Sequence, residues 1–173
     1  MRSEQRRQAL LNILKNTTQP ISATALAARF DVSRQVIVGD VALLRSAGEQ
    51  ISATPRGYVM GQERSGLLRQ IAVKHDTAQL EAELNAIVDH GCTVVDVIVE
   101  HPVYGQLVGT LQLANRYDVG QFINRCSGFS AHPLSNLTDG IHLHTLLCPD
   151  ENAFLRVKEE LGRQGVLLDN MGD

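Results

Sequence analysis

Cysteine is scarce in this 173-residue chain: Cys92, Cys126 and Cys148 stand far apart, with no Cys-x-x-Cys spacing. An odd, scattered set argues against a disulfide framework and predicts reduced thiols, as in a cytoplasm. No apolar run approaches the roughly 20 residues that span a bilayer. The opening stretch, MRSEQRRQALLNILKN, lacks the continuous apolar segment of a secretory signal. Internal repeats and low-complexity tracts are also missing. Histidine is absent from the first 74 residues; all six lie beyond them. What remains is 43% hydrophobic and 20% charged, which places the chain among soluble globular proteins. Its length suits one large domain or two small ones.

The net charge of −3 is unevenly shared. Residues 1–61 carry eight Lys/Arg against four Asp/Glu, and residues 62–173 carry eight against fifteen. A head of +4 on a body of −7 is the pattern of a nucleic-acid-binding domain joined to a different one.

The head reads as helix, helix, short turn, helix and wing. Leu10, Ile13 and Leu14 make an apolar stripe on a helix from Ser3 to about Asn16. Asn16 to Pro20 breaks it, and Ser22 caps a second helix with Leu26 and Phe30 four apart. Ser33 caps a third, running to Ala47 and closed by Gly48. Ile51 and Tyr58-Val59-Met60 flank the turn Thr54-Pro55-Arg56-Gly57, a two-stranded wing. The stretch ISATALAARFDVSRQVIVGDVALLRSAG resembles the compact helix-turn-helix at the head of many bacterial regulators.

At about 100° per residue, Ile37, Val41 and Leu44 face inward on the third helix. Gln35, Gly39 and Ala42 face outward, with Val36 and Val38 on the flanks. The outer face is the one that enters a major groove. Gln35 suits base edges, adenine above all, and Val36 or Val38 a thymine methyl. Ser33 and Arg34 are placed for phosphate, and Arg56 at the wing tip for phosphate or the minor groove. Gly39 costs about 1 kcal/mol against Ala inside a helix. It removes an outward side chain or permits close backbone approach.

Gly61 to Gly66 is polar and glycine-bounded, a boundary between domains at 1–61 and 67–173. Beyond it, Leu67–Val73 is expected as a connecting helix. Asp76-Thr77-Ala78-Gln79 is a capping box for a helix to about His90. Strands are expected at Thr93–Glu100, Gln106–Leu113, Ile141–Cys148 and Val166–Leu168, and helices at Arg116–Cys126 and Asp150–Gly162. Ser127–Gly140 is expected as loop. The order α-β-β-α-β-α-β predicts an α+β sandwich, one mostly antiparallel sheet with helices on one face.

Ile141-His142-Leu143-His144-Thr145 is the most informative stretch. Strand alternation points His142 and His144 to one side. Two imidazoles are costly to bury without partners, and histidine is the commonest metal ligand. Glu83 lies about 60° from Leu80 at the helical repeat, at the edge of its helix's apolar stripe. Either His75 or His90 could supply a third nitrogen, and spacing does not choose. His90 also suits a helix C-terminus, where a cation is favoured, and His132 an exposed loop.

A wider pattern then applies. KHD at 74–76, EHPVYG at 100–105, NRYDV at 115–119 and PLSNLTDGIHLHT at 133–145 resemble the 3H domain, over nearly the whole chain when taken with the head. The chain is similar in this to the niacin-responsive transcriptional repressors of bacteria. The resemblance implies a winged helix-turn-helix followed by an α+β 3H domain. It implies repression of genes for NAD biosynthesis and niacin uptake, with nicotinic acid as co-repressor. The metal ligands it implies are His75, Glu83, His142 and His144, holding a divalent transition metal, zinc or nickel foremost. His101, beside Pro102, Tyr104 and Gly105, is implied as part of an effector site or as a turn residue. Expected partners are operator DNA, nicotinic acid and a second copy of the chain in a homodimer, without a membrane. The rival readings are a repressor that senses the metal itself and a hydrolytic metal site. No residue carries a catalytic signature, so no enzyme is expected.

Overall fold

The computed structural model describes residues 2–61, 65–128 and 132–168. Two compact units emerge, Met1–Glu63 and Arg64–Asp173. In the first, α1 (Ser3–Lys15), α2 (Ala23–Phe30) and α3 (Arg34–Ser46) precede a hairpin of β1 (Ile51–Thr54) and β2 (Gly57–Met60). Local chemistry starts the two shorter-looped helices. Ser22 Oγ accepts from Ala25 N–H at 3.0 Å, and Ser33 Oγ from Val36 N–H at 3.3 Å, each satisfying an orphan donor of the first turn. Leu10, Leu14, Leu26, Ile37, Val41 and Leu44 fill one core. Each buried aliphatic side chain contributes roughly 1.5–3 kcal/mol. Asp40, buried on α3, takes two hydrogen bonds from Arg6 of α1, at 2.6 and 3.2 Å, and so fixes the angle between these helices with a forked contact. Gly57 is required at the wing: its φ is +135°, and a Cβ there would stand 2.2 Å from the Ile21 carbonyl oxygen.

The second unit begins with a strand, not a helix. β3 (Leu67–Lys74) pairs along its whole length with β6 (Ile141–Cys148), from Leu67↔Cys148 to Lys74↔Ile141. Its burial alternates, with Ile71 and Val73 inward and Gln70 and Lys74 outward, a period of two that the apolar start Leu67-Leu68 masked. After a 3-10 turn at Thr77–Gln79 come α4 (Leu80–Asp89), β4 (Thr93–His101), β5 (Gly105–Leu113) and α5 (Arg116–Gly128). The expected loop before β6 contains a 3-10 turn, Leu134–Thr138, and α6 (Glu151–Arg163) follows β6. The expected last strand at Val166–Leu168 is reduced to a single bridge, Val73↔Leu167. The chain there is too short to make a ladder and instead caps the free edge of β3 through Lys74 N–H to Val166 O and Leu168 N–H to Ala72 O.

The sheet order is β3-β6-β4-β5, with all neighbours antiparallel. This places β6 inside the sheet, hydrogen-bonded on both sides. A bulge between Val94 and Asp96 interrupts β4 against both its neighbours. Leu84 and Ile87 of α4, Val119 of α5 and Val157 and Leu161 of α6 share one core with Ile71, Val73, Val94, Leu111, Leu113 and Leu146 of the sheet. The helices thus cover one face. On the other, Leu68 and Val108 remain exposed.

Candidate metal centre

The helix-covered face of the sheet holds a polar cluster at one end of its apolar core. Along β6 burial alternates strictly, so His142 and His144 point to the same face as Leu146 and Cys148. Glu83 lies in the first turn of α4, directly above that face, and its side chain is completely buried. Its helical position at the edge of the stripe understated this depth. His75 follows β3 and ends the cluster on the far side. Asp76 accepts from Gln79 N–H at 3.3 Å, the cap that turns the chain from β3 into the helical segment.

The donor atoms converge. His75 Nε2 stands 2.6 Å from Glu83 Oε2, and His144 Nε2 and His142 Nε2 stand 3.0 and 3.5 Å from Glu83 Oε1. Each imidazole is held from behind by a backbone carbonyl. Nδ1 of His75, His142 and His144 donates to the carbonyls of Asp76, Gly140 and Asp96, at 2.7, 2.8 and 2.7 Å. A carbonyl only accepts, so these contacts assign the hydrogen to Nδ1 and leave Nε2 facing Glu83. This back-side hold is the arrangement that orients metal-binding histidines.

Electrostatics give the same picture. Burial alone would raise the Glu83 carboxyl, but the three imidazoles set around it, His144 foremost, override it and hold the group well below the usual carboxylate range. Burial alone would lower His75 and His144; the Glu83 carboxylate overrides it and raises both above the ordinary imidazole value. Glu83 Oε1 and His144 Nε2 are 3.0 Å apart, yet neither has a partner in hydrogen-bonding geometry, and both are fully shielded from solvent. Native interiors satisfy such atoms with water or an ion. Three nitrogens and a carboxylate suit a divalent transition metal, and no single element is selected by that set. His75, Glu83 and His142 each offer a donor atom within 4.8 Å of the others, and His144 joins them through Glu83. The residues present therefore fit a metal ion.

Three residues that sequence reasoning passed over shape this cluster. Gly140, at φ +88°, lets the chain before β6 meet the end of β3; a Cβ there would stand 2.2 Å from His75 O. Its carbonyl also takes the His142 hydrogen. Asp96 sits at the β4 bulge. Its carbonyl holds His144, and its carboxylate accepts from Thr145 N–H at 3.0 Å. The Asp76 carbonyl does the same service for His75. Backbone carbonyls leave no signature in residue identity; the Thr138-Asp139-Gly140 turn was the one legible sign.

The other histidines lie apart from the cluster. His90 Nδ1 bonds Ala86 O at 2.7 Å at the C-terminus of α4. His132 is exposed. His101, at the end of β4, accepts from Val103 and Tyr104 N–H at 3.1 and 3.3 Å through Nδ1, so half of its ring serves the β4–β5 turn. The Tyr104 ring lies 5.1 Å from it and is 74% exposed. A cavity of about 500 Å³ is lined by Ala72, Ile98, Glu100, Thr138, Leu143 and His142, among others; Ala72, Ile98 and Leu143 alternate with the inward residues of their strands, so it opens on the face of the sheet opposite the imidazole cluster.

In the first unit α3 presents Ser33, Arg34, Gln35 and Gly39 to solvent, with Val36 and Val38 half-buried on its flanks. Arg56 lies at the tip of the β1–β2 hairpin, half-buried, its N–H bonded to Thr54 Oγ1. Leu43, 54% exposed, extends the outward face of α3 beyond what the helical pattern alone had marked.

Comparison with known proteins agrees with both halves. An HTH domain matches residues 6–59 and a 3H domain residues 68–170. A probable transcription repressor NiaR of Thermotoga maritima is 42% identical over 166 residues, 96% of this chain and 95% of that protein. Transcription repressor NadR of Bacillus subtilis is 42% identical over 167 residues, 94% of this chain and 93% of that protein. These relatives are repressors, not enzymes. With a helix-turn-helix head, an antiparallel α+β body and this likeness over almost its full length, the chain belongs to the 3H-domain family of transcription repressors.

Proposed function

We propose that the protein is a cytoplasmic, homodimeric repressor of genes for NAD biosynthesis and niacin uptake, with nicotinic acid as co-repressor. The observation that carries the regulatory half is the buried cluster of His75, Glu83, His142 and His144. A pyridine carboxylate brings an anion, and a divalent ion supplies the charge to hold it. His101 Nε2 and Tyr104 are assigned as further effector contacts at the end of β4.

The metal, when bound, supplies a fixed positive charge among these residues. The chain's own part is to hold three Nε2 atoms and one carboxylate in place from behind. On the DNA side, Gln35 reads base edges, Val36 and Val38 meet thymine methyls, and Ser33, Arg34 and Arg56 hold phosphates. Paired heads read half-sites about one helical turn, or a multiple of it, apart. The effector acts only if it binds the DNA-competent state more tightly than the other.

A duplex selected by the protein from a random-sequence pool provides the test. Its affinity is measured with nicotinate, nicotinamide and NAD, with and without zinc or nickel. Tighter binding with nicotinate and metal together is the expected result. Unchanged affinity with nicotinate in the metallated protein would refute the co-repressor role. Tightening by metal alone would select the second reading, a repressor that senses the ion, which the closeness of the His75, Glu83 and His142 donor atoms, within 4.8 Å of one another, favours.

A further inference from the structure

We propose that Cys92 and Cys148 are a modification site: an oxidisable pair that hydrogen peroxide closes into a disulfide. In the sequence these thiols stand far apart, and nothing joins them. In the fold they are neighbours. The β4–β6 ladder pairs Thr93 with Leu147, so the next step sets Cys92 opposite Cys148. Opposed residues of an antiparallel pair have Cα atoms about 4.5–5.5 Å apart, within the range of about 4.4–6.8 Å that a disulfide bridges. The sulfurs already touch, Cys92 Sγ to Cys148 Sγ at 2.8 Å. The sulfurs need to close by under about 1 Å to reach the disulfide bond length of about 2.03–2.05 Å. Both are buried in the core of the second unit. Cys148 lies four residues along β6 from His144, so the pair is separate from the metal cluster. Cys126, the third thiol, is half-buried on α5 and free.

The chemistry follows from the burial. A buried thiol is normally inert because its thiolate is disfavoured, and burial does push both thiols up. For Cys148 that rise is opposed by the hydrogen bond donated from Cys92 and by the charge of Arg69. Cys92 Sγ donates to Cys148 Sγ, so Cys148 is the sulfur that attacks. Its thiolate attacks one oxygen of hydrogen peroxide; the O–O bond breaks, leaving a sulfenic acid on Cys148 and hydroxide, which takes a proton to become water. The Cys92 thiol then attacks that sulfur, the S–S bond forms, and the sulfenic oxygen leaves as a second water. The two thiols lose two electrons and two protons, and one peroxide becomes two waters. A small neutral oxidant reaches a core that a bulky disulfide reagent enters only when the fold opens.

The full-length protein, reduced and then treated with one to ten equivalents of hydrogen peroxide at neutral pH, gives the test. The expected intact mass falls by about 2 Da, as two hydrogens are lost, and dithiothreitol restores it. A digest without reductant links the Cys92 and Cys148 peptides. Alkylation after denaturation then labels one thiol, Cys126, where three were labelled before. Cys126→Ser keeps the loss of mass, and Cys92→Ser abolishes it. Oxygen addition at Cys126 alone, with Cys92 and Cys148 still alkylatable, would overturn the proposal. So would a loss of mass that disappears in Cys126→Ser.

Discussion

His142 and His144 meet edge to face, ring centroids 4.8 Å apart, and both direct Nε2 at the same oxygen of Glu83. Strand alternation puts two imidazoles two residues apart on one face but leaves the planes of their rings open. Here their rings are turned 86° to one another because each is tied at the back to a different carbonyl, Gly140 for one and Asp96 for the other. In this arrangement the two Nε2 atoms come within 3.5 and 3.0 Å of Glu83 Oε1.

Glu83→Gln keeps the shape and removes the charge that the cluster shares. Metal affinity, read by calorimetry or by competition with a chromophoric chelator, falls by more than the roughly 10–100-fold that loss of an outer partner costs. Equal affinity in the variant and the parent would show that Glu83 is not a ligand.

Asp96→Ala removes the side chain that braces the bulge while keeping the carbonyl that holds His144. Thr145 N–H then loses its acceptor, at a cost of about 1–3 kcal/mol for a shielded donor. Metal affinity falls about tenfold, as for an outer-shell partner, with the circular dichroism spectrum unchanged. A drop in thermal midpoint with no change in metal affinity would reduce Asp96 to a purely structural residue.

Gly39→Ala separates folding from DNA reading. Gly39 is exposed on α3, and a Cβ there meets no atom within 4 Å, so nothing inside the chain requires glycine. Alanine stabilises the helix by about 1 kcal/mol. The thermal midpoint of the head rises by about 4–8 °C, while affinity for the selected duplex falls, because the added methyl lies on the face proposed to enter the groove. Gln35→Ala in parallel reports whether that face is used at all. A midpoint that rises with affinity unchanged would mean that the backbone at Gly39 makes no close approach.

Acid and base act on the centre in opposite senses. Glu83 is lowered, so its stabilisation is present above the ordinary carboxylate value and lost as pH falls through the lowered one. His75 and His144 are raised, so theirs is full below the ordinary imidazole value of about 6.5 and lost as pH rises through the raised values. Chelator-treated protein is expected to be most stable in the mildly acidic window between these limits and to lose midpoint on the alkaline side. Zinc binds neutral imidazoles and removes that alkaline loss. Thermal midpoints measured across pH 4–9 (about the range between carboxylate and amine titrations), with chelator and with zinc, check this. Parallel curves under both conditions would sink it.

The sequence by itself determined the head, because its evidence is local: Ser22 and Ser33 caps, the four- and three-residue steps of Ile37, Val41 and Leu44 turned inward, a glycine at the wing turn. It also determined that His142 and His144 share a face, since strand alternation needs no partner. It misread Leu67–Val73, whose strand form depends on β6, a partner some seventy residues away in sequence. Residue spacing left His75 and His90 open and the resemblance implied His75; the tertiary structure sets His75, and not His90, beside Glu83. The β3–β6 register carries His75 to Gly140, while His90 turns back on Ala86. The depth of Glu83, the carbonyls behind each ring and the meeting of Cys92 with Cys148 are likewise long-range facts. They follow from which strands pair and in what register, and residue spacing along one strand or helix does not encode that.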